Sequence, residues 1–412
     1  MVNLPADFVA ETRRIMGDER YNRFVGAFDE EAPTSIRVNP SKVSLANGER
    51  VPWCSEGYYL NDRPQFTFDP LLHAGCYYVQ EASSMFVTHV LRNCQLSIVN
   101  YQLALDMCAA PGGKSTALRS VLPDDCVLIS NEPMGNRAQI LLENVTKWGG
   151  PNHIVTNNYP RDFRKAKLKF DLILCDVPCS GEGMFRKDPN AISEWSVQNV
   201  EKCWQLQREI VADAWECLNP GGLLIYSTCT YNTKENEENI RWILDTYDAQ
   251  VLDIPVDPSW NITGSLLEGF NEPVYRFIPG ITRGEGLFVC ALRKNTRKEE
   301  GERSKEISSA DIIKNKNLKV LDPGILLPPS SLLPSPKVDV DYATALKYLR
   351  GEALVLPADT PRGIVTITYQ GQPLGPAKNI GNRANNLYPK AWRIKSTHLP
   401  SEAPKVLKNV KM

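Results

Sequence analysis

Two cysteines in this chain stand just outside apolar runs, where a strand would end. One is Cys179 in Phe170-Asp171-Leu172-Ile173-Leu174-Cys175-Asp176-Val177-Pro178-Cys179-Ser180-Gly181, three residues after an acid, Asp176. The other is Cys229 in Leu223-Leu224-Ile225-Tyr226-Ser227-Thr228-Cys229-Thr230-Tyr231. One cysteine after a strand is more often a packing thiol; two at adjacent strand ends point to chemistry. A thiolate is a strong nucleophile, and a helix N-terminus or a cationic neighbour lowers a thiol pKa enough for use near neutrality.

A third constellation lies upstream. The apolar run Leu103 to Met107 carries Asp106 and opens into Cys108-Ala109-Ala110-Pro111-Gly112-Gly113-Lys114 before a helical pattern begins. Small residues let a ligand approach the loop backbone, and N–H groups at the helix start can grip a polar group. An ordinary strand-to-helix connection would look similar. The continuation favours a ligand: Glu132 follows the next apolar run, where a doubly wound fold holds ribose hydroxyls. A surface pair near a helix start is the plain alternative for Glu132 and Arg137.

These residues need strand ends that share one edge. Apolar runs at 101–107, 126–131, 153–157, 170–175, 222–227 and 287–292 are strand candidates, with helical patterns at 114–121, 134–148, 197–218 and 234–246. Over 197–218, Val200, Trp204, Ile210, Val211, Ala214 and Trp215 keep a 3.6-residue period, and Asn219-Pro220-Gly221-Gly222 stops it. Asn232, with Glu235 three residues on, reads as the cap of the fourth helix. Such alternation predicts an α/β fold with a mostly parallel, doubly wound sheet. Before it, residues 4–28 read as two short helices and Ser35 to Asn39 as a strand stopped by Pro40, a small α+β segment that caps the site or contacts RNA.

Composition bounds the rest. The chain has 412 residues, 42% hydrophobic and 23% charged, which suits a globular protein of two or three domains. No apolar run is long enough to cross a membrane, and the N-terminus lacks a basic segment followed by an apolar core, so the cytoplasm is the expected location. Eleven cysteines without a C-x-x-C pattern, beside four histidines, argue for free thiols and against a metal site. Residues 371–412 carry eight Lys/Arg against Glu402 alone, a basic end suited to a polyanion, on an otherwise net acidic chain. Within it, Lys378 to Ile394 mixes cations, amides and aromatics: Tyr388 and Trp392 can stack on unpaired bases, or Leu387, Tyr388 and Trp392 form a small core, and the two readings are compatible if the cations stay exposed. The expected division is an N-terminal segment 1–75, a catalytic domain 76–295, a linker 296–337 and a β-rich module 338–412.

Taken together, Asp106 to Lys114, Asp176-Val177-Pro178-Cys179-Ser180-Gly181 and Ser227-Thr228-Cys229-Thr230 resemble the RNA (cytosine-5-)-methyltransferases that use S-adenosylmethionine. Tyr78 to Ser84 and Gly183 to Asp188 are similar to the branch acting on bacterial 16S ribosomal RNA. The resemblance runs over most of 30–295 and weakly over the C-terminal module. It implies a Rossmann-like methyltransferase sheet with a C-terminal RNA-binding module, and methyl transfer to carbon 5 of a cytosine. Cys229 would attack carbon 6, Cys179 would assist release of the enzyme, and Asp176 would sit by the base and cofactor; related DNA enzymes attack with the Pro-Cys thiol instead. Cys108, Ala109, Ala110, Pro111, Gly112, Gly113 and Lys114 would wrap the methionine end of S-adenosylmethionine, with Glu132 on the ribose and Arg137 lining the pocket. The implied partner is ribosomal RNA or the small ribosomal subunit, with a monomer as the default. Tyr159 stands where the family places an acid near the adenine, leaving Asn158 or Asp162 as candidates for that contact. Transfer RNA as substrate, and a non-catalytic RNA-binding assembly factor, are the rival readings.

Overall fold

In a computed structural model of the chain, which describes residues 2–44, 48–94, 96–296, 307–321, 335–396 and 398–407, the apolar runs between 101 and 292 each form a strand of one mixed sheet. Leu103–Asp106 is central and parallel to both Val127–Asn131 and Phe170–Asp176. His153–Thr156 extends one side and Leu218–Thr228 the other, both parallel. Leu287–Lys294 then joins Leu218–Thr228 antiparallel, and Val320–Leu321 closes the opposite edge antiparallel to His153–Thr156. Strand order reverses between 103–106 and 170–176, so the loops leaving those two strands diverge and open a crevice at their carboxyl ends.

Alternation along the strands fills two cores. Leu103, Leu105, Ile173 and Tyr226 share one with Ile210, Val211 and Trp215 of the helix Val197–Cys217. Ala104, Leu172, Leu174 and Ile225 share the other with Phe86, Val90, Ala117 and Leu118 from the helices Phe86–Asn93 and Gly113–Arg119. Period-two burial on both faces is the signature of a sheet covered on each side by helices.

Ahead of the sheet, the helix Ala6–Gly26 is broken at Gly17, whose φ of 72° lies in the left-handed region, so two helical pieces meet there as expected. Phe8 and Phe24 pack edge-on against Phe185 and Tyr231, which places this helix over the loops that follow the two cysteines. Two expected boundaries move. Tyr77–Val79 pairs with Thr34–Val38 in a three-stranded sheet with Gly57–Leu60, so a division at residue 75 would cut that sheet. The expected linker 296–337 is also not all linker. Residues 297–306 and 322–334 lie outside the described residues, but Ser309–Ile313 is a helix, and Ile312 and Leu318 bury themselves in the sheet's core beside the edge strand 320–321.

The C-terminal module is a sheet ordered Lys337–Asp339, Gly363–Tyr369, Gln372–Asn379 and Ala384–Asn386, backed by the helix Tyr342–Leu349. Tyr388 and Trp392 are buried in it, settling the sequence alternatives in favour of core, while Lys378, Arg383, Lys390 and Lys395 are exposed. Its core is continuous with that of the N-terminal sheet: Val338, Leu349 and Trp392 belong to one cluster with Ile36, Leu71 and Tyr77. Among the described residues no helix is long and apolar enough to cross a membrane.

Candidate active site

The loop after the central strand is held by its neighbours. The Met107 N–H donates to the Leu174 carbonyl and that of Ala109 to the Asn131 carbonyl, at 2.9 and 2.8 Å. Gly112 has a φ of 115°, which a side chain would resist, and Gly113 starts the helix. Asp106 is fully buried and accepts the Ser115 hydroxyl at 2.6 Å; burial pushes its carboxyl up to about 7. Cys108 lies within the loop, where burial raises its thiol well above the usual range. Ala109 and Gly112 are buried, Ala110 half-buried and Pro111 exposed.

Glu132 follows the next strand, Val127–Asn131, and is 1% exposed. Its Oε1 accepts the Met134 N–H at 2.9 Å and its Oε2 faces Arg137 Nη1 at 3.4 Å. Arg137 also donates to the Ala110 carbonyl at 3.0 Å, so it bridges the loop to the acid. This donor set fits a nucleoside with a charged tail: an acceptor carboxylate for two hydroxyls beside a loop of small residues. The two candidates for the adenine contact are already engaged. Asn158 exchanges hydrogen bonds with the backbone of Lys319, at 2.9 and 3.2 Å, and Asp162 accepts the Tyr159 N–H at 3.1 Å while pairing with Lys165. Both hold local structure: the first docks the edge strand, the second caps the helix Pro160–Lys165.

Across the crevice, Asp176 accepts from Lys114 Nζ at 2.8 Å and from the Ser227 hydroxyl at 2.6 Å. Burial alone would lower the Lys114 pKa, but the Asp176 carboxylate outweighs it and holds the ammonium above its ordinary value. Cys179 and Cys229 meet with their sulfurs 3.3 Å apart. The pair is asymmetric. The hydrogen bond from Cys179 lowers the Cys229 pKa against its burial, and Lys114 assists, whereas that same bond and burial raise Cys179 well above its usual range. Ionisation of the pair is therefore favoured at the Cys229 sulfur, although either sulfur can donate to the other.

Sequence reasoning brought these groups to one edge but missed what clamps them. Gly183 donates its N–H to the Cys229 carbonyl at 2.7 Å, and a Cβ there would sit 2.6 Å from that oxygen, so only glycine fits. Glu182 accepts the N–H groups of Tyr231 and Asn232 at 2.7 and 3.0 Å, and also the side chains of Asn232 and Trp195. Glu235 accepts the Ser180 N–H at 3.0 Å. The Asn232–Glu235 spacing was visible, but the fourth helix begins only at Glu237, and Asn232 caps the turn before it.

Family models described as "16S rRNA methyltransferase RsmB/F", "N-terminal domain of 16S rRNA methyltransferase RsmF" and "Methyltransferase RsmF PUA domain" match residues 93–293, 4–82 and 335–394. The ribosomal RNA small subunit methyltransferase F of Serratia proteamaculans is 29% identical over 94% of this chain and 96% of its own length. That of Pectobacterium carotovorum is 36% identical over 71% of this chain, an alignment spanning 63% of that relative. Among solved structures, a methyltransferase homologue from Pyrococcus horikoshii is 28% identical, with a TM-score of 0.57, over 71% of this chain and all of that one. NSun6 from Pyrococcus horikoshii, solved with SFG, shares the fold at 21% identity and a TM-score of 0.60, covering 71% of this chain and 99% of that one. With models from one family matching the N-terminal, central and C-terminal parts in order, the chain belongs to the RsmB/F family of 16S rRNA methyltransferases.

Proposed function

We propose that this protein methylates carbon 5 of a cytosine in small-subunit ribosomal RNA, in the cytoplasm, through a covalent adduct on Cys229. The observation that carries the reading is the contact of Cys229 with Cys179 at 3.3 Å beside the Lys114–Asp176 pair, at the switch point of a methyltransferase sheet. The substrate class comes from relatives whose names state ribosomal RNA small subunit methyltransferase.

S-adenosylmethionine, held by the 108–114 loop with Glu132 and Arg137, supplies a methyl group on a sulfonium. Cytosine carbon 5 is a poor nucleophile until the ring is made electron-rich. The Cys229 thiolate adds to carbon 6, forming a C–S bond and moving the ring's π electrons towards carbon 5, which then accepts the methyl. Protonation of ring nitrogen 3, whose N–H would then donate to the Asp176 carboxylate, would favour that addition, and Lys114 and Ser227 fix the carboxylate for it. Transfer of the carbon 5 proton to solvent water returns its electron pair to the ring, breaks the C–S bond and expels the Cys229 sulfur as thiolate. Cys179, which bears a proton next to the leaving sulfur, assists that release. The exposed Lys378, Arg383, Lys390 and Lys395 offer cations to RNA phosphates.

The test is a denaturing gel for protein–RNA adduct with wild type, Cys179→Ala and Cys229→Ala, each given S-adenosylmethionine and unmodified ribosomal RNA. Adduct should accumulate in Cys179→Ala and be absent in Cys229→Ala. The reverse pattern would exchange the two roles. Adduct with transfer RNA alone would replace the substrate, and none with either RNA would leave a binding protein without this chemistry.

A further inference from the structure

The clamp around the two cysteines contains a buried carboxylate to which no cation is bonded among the described residues. Glu235 is 0% exposed. Its Oε2 accepts the Ser180 N–H at 3.0 Å and Gln207 Nε2 at 2.7 Å, and its Oε1 accepts Asn232 Nδ2 at 2.8 Å. Ser180 follows Cys179, and Gln207 donates as well to the carbonyl of Pro178, the residue before Cys179, at 2.9 Å. Asn232 lies three residues after Cys229, and Thr230, beside Cys229, meets the Ser180 hydroxyl at 2.9 Å. One side chain thus ties together the loops that carry both sulfurs and the long helix behind them.

We infer that Glu235 is a positioning residue for the thiol pair: its carboxylate fixes the Cys179 loop against the Cys229 loop and lays a negative charge beside both sulfurs. The inference rests on the reading of Cys229 as the attacking thiolate. Several groups face this carboxylate. Glu182 approaches from the neighbouring turn and shares Asn232 Nδ2 with it; Cys203 and Gln207 face it from the helix Val197–Cys217; Tyr226 donates to its backbone carbonyl; Cys179 and Cys229 lie across the loops. Beyond Cys229 stand Lys114, which favours its thiolate, and Asp176, which opposes it. Burial and the Glu182 charge push the Glu235 carboxyl up to about 7, so its charge grows as pH passes through neutrality. That charge raises both thiols, which makes thiolate formation at Cys229 more gradual than for an isolated thiol.

The test uses the full chain and a readout independent of RNA. Alkylation of the Cys229 peptide by iodoacetamide is followed by mass spectrometry across the pH range for wild type, Glu235→Gln and Glu235→Asp. Glu235→Gln should move the alkylation midpoint down by about one pH unit, or up to about tenfold in thiolate fraction on the rising limb, with the gap opening on the alkaline side of neutrality. Glu235→Asp, which keeps the charge, should follow wild type. Should Glu235→Gln fail to fold, Gln207→Ala removes one donor from the carboxylate; its weaker ionisation should shift the midpoint in the same direction by less. A folded Glu235→Gln, or a folded Gln207→Ala where it takes that place, with the wild-type profile would overturn the inference. Failure of the adduct experiment would instead remove the role of Cys229 and leave this profile readable.

Discussion

At the scale of single residues, one cation serves two groups. Lys114 is bonded to Asp176 and also favours the Cys229 thiolate, so one ammonium serves both the acid beside the 108–114 turn and the thiol pair. Lys114→Met keeps much of the stem and removes the charge. Without it Asp176 keeps, among the described residues, the Ser227 hydroxyl alone, and its carboxylate acts on the thiol uncompensated. We expect adduct formation in a Cys179→Ala background to slow by about ten- to a hundredfold near neutrality, and to recover towards alkaline pH as Cys229 ionises. A uniform loss at every pH that saturating S-adenosylmethionine reverses would confine Lys114 to cofactor binding. The two thiols were visible as residues just past apolar runs. Their inequality was not, because it comes first from the hydrogen bond between two residues 50 positions apart and then from Lys114, 115 positions before Cys229 in the chain.

At the scale of elements, what was legible had a local cause. The parallel strands read as continuous apolar runs because both faces are buried, and the 108–114 loop is a small-residue turn between a strand and a helix. What was not legible depends on partners far apart in sequence. Glu182 meets Tyr231 from 49 positions away, and Glu235 meets Ser180 from 55, so neither has a periodic or turn signal as a clamp. The edge strand Val320–Leu321 has two residues and no pattern at all; its docking rests on Asn158 and Lys319, 161 positions apart. That docking makes a prediction opposed to the adenine role expected for Asn158. Asn158→Ala leaves the part-buried backbone N–H of Lys319 without its partner, while the Lys319 carbonyl keeps the Asn157 N–H, at a cost of about 1 kcal/mol. Melting should fall by a few degrees, since about 2–4 °C per kcal/mol applies to larger domains. S-adenosylmethionine affinity should change by less than about twofold, against the roughly 1.4 kcal/mol that a tenfold loss would represent. A strong affinity loss at unchanged melting would restore the side chain to the adenine site.

For the whole molecule, the continuous core between the N-terminal sheet and the C-terminal module means that the module does not hang on a free tether. Its exposed cations stand at a fixed place relative to the crevice, as a surface must if RNA held at one point is to present a base at another. The joint is built around His73, which is 9% exposed. Its Nε2 lies 2.8 Å from the Thr67 carbonyl and so carries the proton, while Nδ1 faces Lys147 Nζ at 3.2 Å and the Tyr388 hydroxyl at 3.4 Å. Protonating Nδ1 would remove an acceptor and set a second cation against Lys147, whose ammonium lies 5.7 Å from the Trp392 ring centre. Burial, with Lys147 adding to it, accordingly lowers the His73 pKa to about 3. The sign follows from linkage. The unfolded imidazole takes up a proton near about 6.5 and the folded one does not, so the stability this site contributes is complete above that pH and is lost as pH falls towards about 3. His73→Gln, whose side-chain amide can still donate to Thr67 and accept from Lys147, should flatten that acid limb of melting temperature against pH while costing some stability at neutrality. Limited proteolysis at mildly acid pH should release the C-terminal module from wild type before the central sheet is cleaved. An acid limb identical in His73→Gln and wild type would place the acid-labile contact elsewhere in the molecule.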